Sequence, residues 1–327
     1  MIEGREAPGI ERSLLLDRAT ACLLGLAVGD AFGDLGRSQE HRQRYGIVTS
    51  LAADARSTDD TEFAVLTAQT LIDCGGRLTD DAVVAAWRKY ILGQGGMFER
   101  GGKPLYGAVA NLERGLLPPY SGIDNVQNND DGAAMRIAPV GILCAGDPQR
   151  AAVLAAIDAQ ISHAQDGIWA AQAVAASVAV ALTGAGVDEI IAAGRALIPA
   201  KSWLGRAMAR AMTICDEYPD IFDALEQLHV QLWTPMHSMA AEAIPQAYAI
   251  FRLTGGDFRL GMIWGGNFGR DADTICAVLG ALSGALHGTS AIPPEWAARV
   301  DQPAGVCLRF AAHKSMRELA RQLVELV

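Results

Sequence analysis

Apolar residues recur at intervals of three and four along most of the chain, which is the spacing of one face of a helix. The pattern predicts helices at residues 12–28, 61–74, 79–92, 105–112, 149–160, 167–182, 187–198, 202–216, 222–229, 240–252, 273–287 and 316–327. Runs of alternating β-branched residues are scarce, and "GIVTSL" (46–51) is the one possible short strand. The fold class is therefore predicted to be all-α.

Three longer stretches lack helical periodicity and are rich in Gly, Pro or Asn: residues 33–57, 93–104 and 115–136. Loops of that length in a compact domain are usually functional. No break has the composition of a linker between independent domains, and no internal repeat is visible. We predict an N-terminal tail at residues 1–11 and a single compact multi-helix domain at residues 12–327.

Composition and charge narrow the possible partners. Half of the residues are apolar and 20% are charged, which is typical of a folded globular protein. A net charge of −10 gives no overall field that attracts nucleic acid or an anionic membrane. The uncharged stretch 167–187 is long enough to span a bilayer, but it is mostly Ala with polar residues inside. It predicts a central core helix, so neither a membrane nor nucleic acid is an expected stable partner.

Cysteine usage indicates a reducing compartment. No CxxC pair occurs among the six cysteines, and most lie in apolar runs: Cys22, Cys74, Cys144, Cys215, Cys276 and Cys307. A reduced cysteine in such a run behaves as a small hydrophobic residue. Thiolate zinc sites and disulfides are not expected, and the predicted localisation is cytoplasmic.

Two acidic stretches, each at the start of a strongly apolar helix, are the candidate chemistry. They are "RSTDDTEF" (56–63) and "GNFGRDADTICAVLGALSGALHG" (266–288), and their oxygen-bearing residues are Thr58, Asp59, Asp60, Asp271, Asp273 and Thr274. Asp and Thr at helix starts are ordinary caps. Carboxylate and hydroxyl oxygens are also the ligands of Mg²⁺, Mn²⁺ and Ca²⁺, and four carboxylates indicate a two-ion site. Composition alone leaves both interpretations open.

Three further stretches lie in order with these two: "CLLGLAVGDAFG" (22–33), "GAAMRIAPVG" (132–141) and "SHAQDGIWAA" (162–171). Together with "STDDTEFAVL" (57–66), the set resembles the ADP-ribosylglycohydrolase family, which includes dinitrogenase-reductase-activating glycohydrolases and vertebrate ADP-ribosylhydrolases. The resemblance covers most of the chain. It implies an all-helical domain with a dinuclear site for two Mg²⁺ or Mn²⁺ ions. It also implies hydrolysis of the bond between ADP-ribose and an acceptor, in an ADP-ribosylated protein or a small-molecule conjugate.

The resemblance also implies roles for individual residues. The metal-binding residues would be Thr58, Asp59, Asp60, Asp271, Asp273 and Thr274, with Asp59, Asp60 and Asp273 catalytic. One carboxylate would take a proton from the attacking water as an oxocarbenium-like centre develops. Ligand-binding residues would be Asp34, Asn128, Asn129, Asp130, Gly132, Ala133, Met135, Arg136, His163, Gly269 and Arg270.

Several of these residues have structural alternatives. Turn formation explains Asn128, Asn129 and Asp130 equally well. Arg136 either offsets diphosphate charge or pairs with an acid in the core. His163 is either near the ligand's ribose or a structural histidine.

The chain departs from the family pattern at two places. Many members have a Glu a few residues after the "GDA" turn, whereas here Gly36 and Arg37 are near that place, and Asp34 or Glu40 is a candidate replacement. Arg270 stands where many members have Gly. The acceptor is arginine by analogy with the activating glycohydrolases. The alternatives are another ADP-ribose linkage (Ser, nucleic acid or O-acetyl) and a non-catalytic ADP-ribose-binding protein.

Overall fold

The computed structural model describes residues 10–327, and within this range the chain forms seventeen α-helices and no β-strand. They are α1 (Arg12–Arg37), α2 (Gln39–Tyr45), α3 (Asp59–Asp73), α4 (Asp80–Tyr90), α5 (Lys103–Glu113), α6 (Tyr120–Ile123), α7 (Ala138–Leu143), α8 (Pro148–Ala159), α9 (Asp166–Ala181), α10 (Val187–Arg195), α11 (Trp203–Glu217), α12 (Ile221–Gln231), α13 (Ala240–Leu253), α14 (Phe258–Phe268), α15 (Ala272–His287), α16 (Pro294–Val300) and α17 (Met316–Val324). The all-α prediction is confirmed. The tail predicted at 1–11 falls mostly on residues 1–9, which lie outside the described residues.

The possible strand at residues 46–51 is wrong. Within residues 10–327 this segment pairs with no strand, and at Val48 the side-chain amide of Asn267 makes the backbone hydrogen bonds instead. The Val48 N–H donates to Asn267 Oδ1 at 2.8 Å, and Asn267 Nδ2 donates back to the Val48 carbonyl at 2.7 Å. The backbone polar groups of Val48 are therefore satisfied without a sheet.

Helix α1 is longer than predicted and continues through the glycine-rich "GDAFGDLG" to Arg37. Glycine normally weakens a helix, but here it allows two backbones to touch. A Cβ atom on Gly29 would lie 1.9 Å from the Cys276 carbonyl oxygen, and one on Gly33 would lie 2.0 Å from that of Ala272. Because α1 and α15 pack this closely, the C-terminal turns of α1 lie beside the N-terminus of α15.

Helix α14 was missed by the periodicity, since Gly261, Gly265 and Gly266 interrupt its apolar pattern. Its start carries an ordinary cap, in which the Leu260 N–H donates to Asp257 at 2.7 Å. Gly265 packs against the side chains of α15. The helix therefore owes its stability to tertiary packing rather than to local propensity.

Helix α9 is the uncharged stretch that the sequence placed in the core, and most of its residues are buried. Its polar Ser177 is satisfied by the Tyr248 hydroxyl at 2.7 Å and the Ile190 carbonyl at 2.8 Å. No helix between residues 10 and 327 has the length and apolar character needed to cross a membrane. The six cysteines are free thiols, and four of them are buried.

Arg136 is fully buried in an ion pair with Asp158, 2.8 Å between Nε and Oδ1. Its other nitrogens donate to the Gly132 carbonyl at 3.0 Å and the Ser162 hydroxyl at 3.1 Å, and the guanidinium lies over the Trp87 ring. Of the two alternatives for Arg136, the structure shows the pairing with an acid. The pair fixes the backbone of Gly132, which lines the candidate site.

Candidate active site

The two acidic stretches meet in one cleft of about 300 Å³. Asp59 and Asp60 are the first residues of α3, Asp271 immediately precedes α15, and Asp273 lies in its first turn. All four carboxylates line the cleft together with Thr274. Two helix N-termini are thus directed at the same acidic cluster, and their dipoles favour negative charge there.

Ordinary capping does not account for these acids. Thr58 and Asp271 occupy the N-cap positions of α3 and α15, but neither side chain accepts a hydrogen bond from its helix. Asp30 of α1 does this for α3 instead, since its carboxylate accepts from the Thr58 N–H at 2.7 Å and the Thr61 N–H at 3.2 Å. The side chains of Asp59 and Asp60 remain available for another role.

Thr58 lies behind the other five predicted metal-binding residues and does not line the cleft. Its hydroxyl donates to Asp30 Oδ1 at 2.7 Å, and the Thr61 hydroxyl donates to Asp30 Oδ2 at 2.5 Å. Asp30 therefore anchors the start of α3 to α1. This arrangement holds Asp59 and Asp60 in position at the cleft.

Crowding of buried acids raises the pKa of several carboxyl groups. Burial, aided by repulsion from Asp273, raises the pKa of Asp59 to about 8. Burial raises the pKa of Asp30 to about 7 against its hydrogen bonds, and that of Asp271 to about 6. The pKa of Asp60 is raised well above its ordinary value by burial and by repulsion from Asp30. The acids of the cluster therefore resist ionising together.

Three carboxylate oxygens of the cleft have no hydrogen-bond partner within the described part of the chain: Asp60 Oδ1, Asp131 Oδ2 and Asp273 Oδ1. A buried carboxylate oxygen without a partner is costly. Among residues 10–327, no group of three or more Asp, Glu, His or Cys side chains is arranged to hold a metal ion.

The cleft-lining residues that sequence reasoning missed include Arg37, Arg100, Asp131 and His237. Arg37 Nη1 lies 2.6 Å from Asp273 Oδ2, and His237 Nε2 lies 3.3 Å from Asp271 Oδ1. Arg100 and His237 lie outside the helices, where periodicity carries no signal. Asp131 could have been predicted from the sequence, since it follows the predicted Asp130 in "NNDDG".

The predicted ligand loop contributes Asp130, Gly132 and Met135 to the cleft. Asp130 Oδ1 accepts from the Gly132 N–H at 2.9 Å and lies 2.7 Å from His163 Nε2. His163 is fully buried, and its Nδ1 lies 2.7 Å from the Ser162 hydroxyl. Burial lowers the pKa of His163, which disfavours the charged ring, and the contact of Nε2 with Asp130 supports that carboxylate from behind.

Asn128, Asn129 and Ala133 do not line the cleft. Asn128 Nδ2 donates to the carbonyls of Gly122 and Ile123, both at 2.9 Å, and Asn128 lines a separate cavity with His163. Asn129 is held through its carbonyl, which accepts from the Ala240 N–H. Ala133 is buried in the core. These residues shape the loop that carries Asp130 and Gly132.

The predicted residues Asp34, Gly269 and Arg270 lie beside the cleft rather than in its lining. The Arg270 guanidinium donates to the Thr234 carbonyl at 2.6 Å and to Glu242 Oε2 at 2.9 Å. Arg270 has φ +60°, a left-handed conformation that is unusual outside glycine. Its contacts hold the turn that presents Asp271.

Comparison with known proteins shows the family of the chain. Residues 11–327 match the ADP-ribosylglycohydrolase family. The chain belongs to this family. An ADP-ribosylarginine hydrolase of Pseudomonas putida is 27% identical over 296 residues, which is 87% of this chain and 74% of that protein. An ADP-ribosyl-[dinitrogen reductase] glycohydrolase of Rhodospirillum rubrum is 26% identical over 321 residues, or 94% of each chain.

The ADP-ribosylglycohydrolase fold is also seen in a solved structure described as an ADP-ribosylglycohydrolase-related protein complex. The TM-score is 0.64 at 23% identity, with 96% of this chain and 99% of that one covered. This likeness shows the fold alone. Together with the sequence match, it confirms the resemblance that the spaced motifs predicted.

The Asp59→Asn variant is expected to be more stable than the parent protein at alkaline pH when metal is chelated. The folded-state pKa of Asp59 is about 8 against an ordinary 3.8, so folding penalises the ionised form and stability falls as pH rises between these values. Asparagine removes that penalty. We expect a free energy of unfolding higher by ~1–2 kcal/mol at pH 8 in EDTA, and no gain at pH 4. Urea denaturation across this range measures the difference, and a pH-independent loss would contradict it.

Proposed function

We propose that this family member is a hydrolase that uses two divalent ions, Mg²⁺ or Mn²⁺, to release ADP-ribose from ADP-ribosylated arginine on protein. The observation that carries the proposal is the meeting of two acidic stretches, distant in sequence, in one cleft at the N-termini of α3 and α15. A site that only binds a nucleotide has little need for so many buried acids. An acid cluster of this kind requires cations to be stable when ionised.

The residues of the cleft fit hard divalent ions. Carboxylate oxygens without partners on Asp60 and Asp273, with the Thr274 hydroxyl beside them, are the oxygen donors that Mg²⁺ and Mn²⁺ prefer. Asp59 and Asp60 would hold ions from the α3 side, and Asp271, Asp273 and Thr274 from the α15 side. When bound, such ions polarise substrate hydroxyls and lower the pKa of water.

The protein's own groups supply the remaining chemistry. A carboxylate of Asp59, Asp60 or Asp273 takes the proton from the water that attacks the anomeric carbon, because these acids lie at the cleft surface. The surrounding negative charge stabilises the oxocarbenium-like centre as the bond to the acceptor breaks. Asp130 and Gly132, held by His163 and Arg136, line the same cleft and would position the ligand.

Arginine is the proposed acceptor because the name of the Pseudomonas relative specifies ADP-ribosylarginine. The family Glu that is missing here leaves Asp34 and Glu40 as candidate replacements. Glu40 is exposed and lies outside the cleft lining, whereas Asp34 pairs with Arg100 at the edge of the cleft. Asp34 is therefore the better candidate of the two.

Release of ADP-ribose from an ADP-ribosylarginine peptide tests the proposal. We expect release in MnCl₂, loss of release in EDTA, and recovery when Mn²⁺ is restored. Peptides linked through Ser or Cys, an ADP-ribosylated oligonucleotide and O-acetyl-ADP-ribose serve as parallel substrates. Undiminished release in EDTA would show that the reaction does not require a divalent ion. Tight ADP-ribose binding with no release from any substrate would favour the non-catalytic alternative.

A further inference from the structure

Two arginines converge on a single oxygen of Asp273. Arg37 Nη1 lies 2.6 Å and Arg100 Nη2 lies 3.3 Å from Asp273 Oδ2. Arg100 Nη2 also lies 2.8 Å from Asp34 Oδ1. The carboxylate of Asp273, whose other oxygen Oδ1 is a proposed metal ligand, is thus already paired with two cations of the protein itself.

We infer that Arg37 and Arg100 form an arginine latch, which neutralises Asp273 through Oδ2 and must be released before Asp273 gives its full negative charge to a divalent ion at Oδ1. This inference rests on the proposed function and concerns the regulation of the same site. The two guanidinium groups and a divalent ion compete for the negative charge of the same carboxylate. The latch therefore sets the affinity for the ion below what the acids alone would give.

The geometry permits displacement. Arg37 is the last residue of α1, and its side chain is 32% exposed, so it can turn towards solvent. Arg100 already has a second partner in Asp34, which lies one turn before Arg37 on α1. Release of Asp273 leaves Arg100 paired, and therefore neither guanidinium becomes a buried uncompensated charge.

The pair is also incompletely bonded, which distinguishes it from a structural ion pair. Asp273 Oδ1 and Arg100 Nε are buried without a hydrogen-bond partner within the described residues. Arg136, in the core, has partners for all three of its nitrogens and is fully buried. Arg100 in addition has φ +75°, outside the range that a non-glycine residue prefers. A strained and under-bonded contact is easier to exchange than a saturated one.

Calorimetric titration of the metal-free full-length protein with MnCl₂ tests the latch. Arg37→Gln removes the closest competing charge, and we expect Mn²⁺ to bind about tenfold more tightly or more, since the Asp273 carboxylate is then less neutralised by the protein. Arg44→Gln is the matched control. It removes the same charge from an exposed residue that pairs with Asp54, and its Mn²⁺ affinity is expected to change less than twofold.

Thermal unfolding supplies a second measurement. In EDTA, Arg37→Gln is expected to unfold at a lower temperature than the parent, because Asp273 loses its closest partner. MnCl₂ is expected to raise the unfolding temperature of the same variant by more than it raises that of the parent, since tighter binding stabilises the folded state further. Arg44→Gln is expected to follow the parent in both conditions.

Equal Mn²⁺ affinity in Arg37→Gln, Arg44→Gln and the parent would overturn the latch, as would weaker binding in Arg37→Gln. In either case, metal-dependent ADP-ribose release by the parent would leave the proposed function standing. If the parent binds Mn²⁺ only weakly and Arg37→Gln binds it well, the latch is supported. If no variant binds Mn²⁺, the latch and the metal dependence of the proposed function both fail.

Discussion

The Asp273→Asn variant is expected to fold like the parent protein and to release ADP-ribose at least about 100-fold more slowly. Asp273 lines the cleft from the first turn of α15, and one of its buried oxygens has no partner among the described residues. Groups that merely support a metal ligand are typically worth 10–100-fold in affinity or activity, so loss of a ligand itself costs more. The measurement is kcat/KM for ADP-ribose release in saturating MnCl₂.

Asp54→Asn is the matched control for this change. Asp54 is exposed and pairs with Arg44 outside the cleft, so the same substitution there is expected to leave kcat/KM within about twofold. Far-UV circular dichroism and the unfolding midpoint establish that Asp273→Asn is folded. Normal release by a folded Asp273→Asn protein would count against the proposed site as a whole.

The Asp158→Ala variant is expected to lose about 3–5 kcal/mol of unfolding free energy. Its partner Arg136 is fully buried, and removal of the acid leaves a guanidinium charge uncompensated in the core. Because Arg136 also donates to the Gly132 carbonyl, disorder is expected to reach the ligand loop. Urea denaturation at neutral pH measures the loss of stability.

A surface ion pair supplies the comparison. Asp216 lies 2.7 Å from Arg252, but its side chain is 64% exposed, and Asp216→Ala is expected to cost less than about 1 kcal/mol. The double variant Arg136→Met/Asp158→Ala is expected to recover part of the loss, since it removes the unpaired charge. Equal costs for Asp158→Ala and Asp216→Ala would show that the buried pair has no special role in stability.

The buried acids of the cleft affect both the stability of the metal-free protein and its affinity for metal ions. Burial raises the pKa of Asp59, and burial together with repulsion from acidic neighbours raises that of Asp60, so ionised carboxylates destabilise the metal-free protein. A cation that binds the cleft recovers that energy as affinity. We therefore expect added Mn²⁺ to raise the unfolding midpoint of the parent more at pH 8 than at pH 5.

Helix formation was largely predictable from the sequence, because periodicity reports directly which side of a helix is buried. Helix α9 follows the predicted span closely. The end of α1 was not predictable in this way, since glycines that usually end a helix are required here for contact with α15. Helix α14 was missed for the same reason. Local propensity opposes these segments, and tertiary packing outweighs it.

The sequence by itself determined the all-helical class, the family and the two acidic stretches, because periodicity and motif order are local properties. Only the tertiary structure brought Asp59 and Asp60 together with Asp273, and only it placed Arg37 and Arg100 on the same carboxylate. Contacts between residues far apart in the chain depend on how the helices pack and on which parts of the helical domain the loops contact. A single sequence carries no direct record of either.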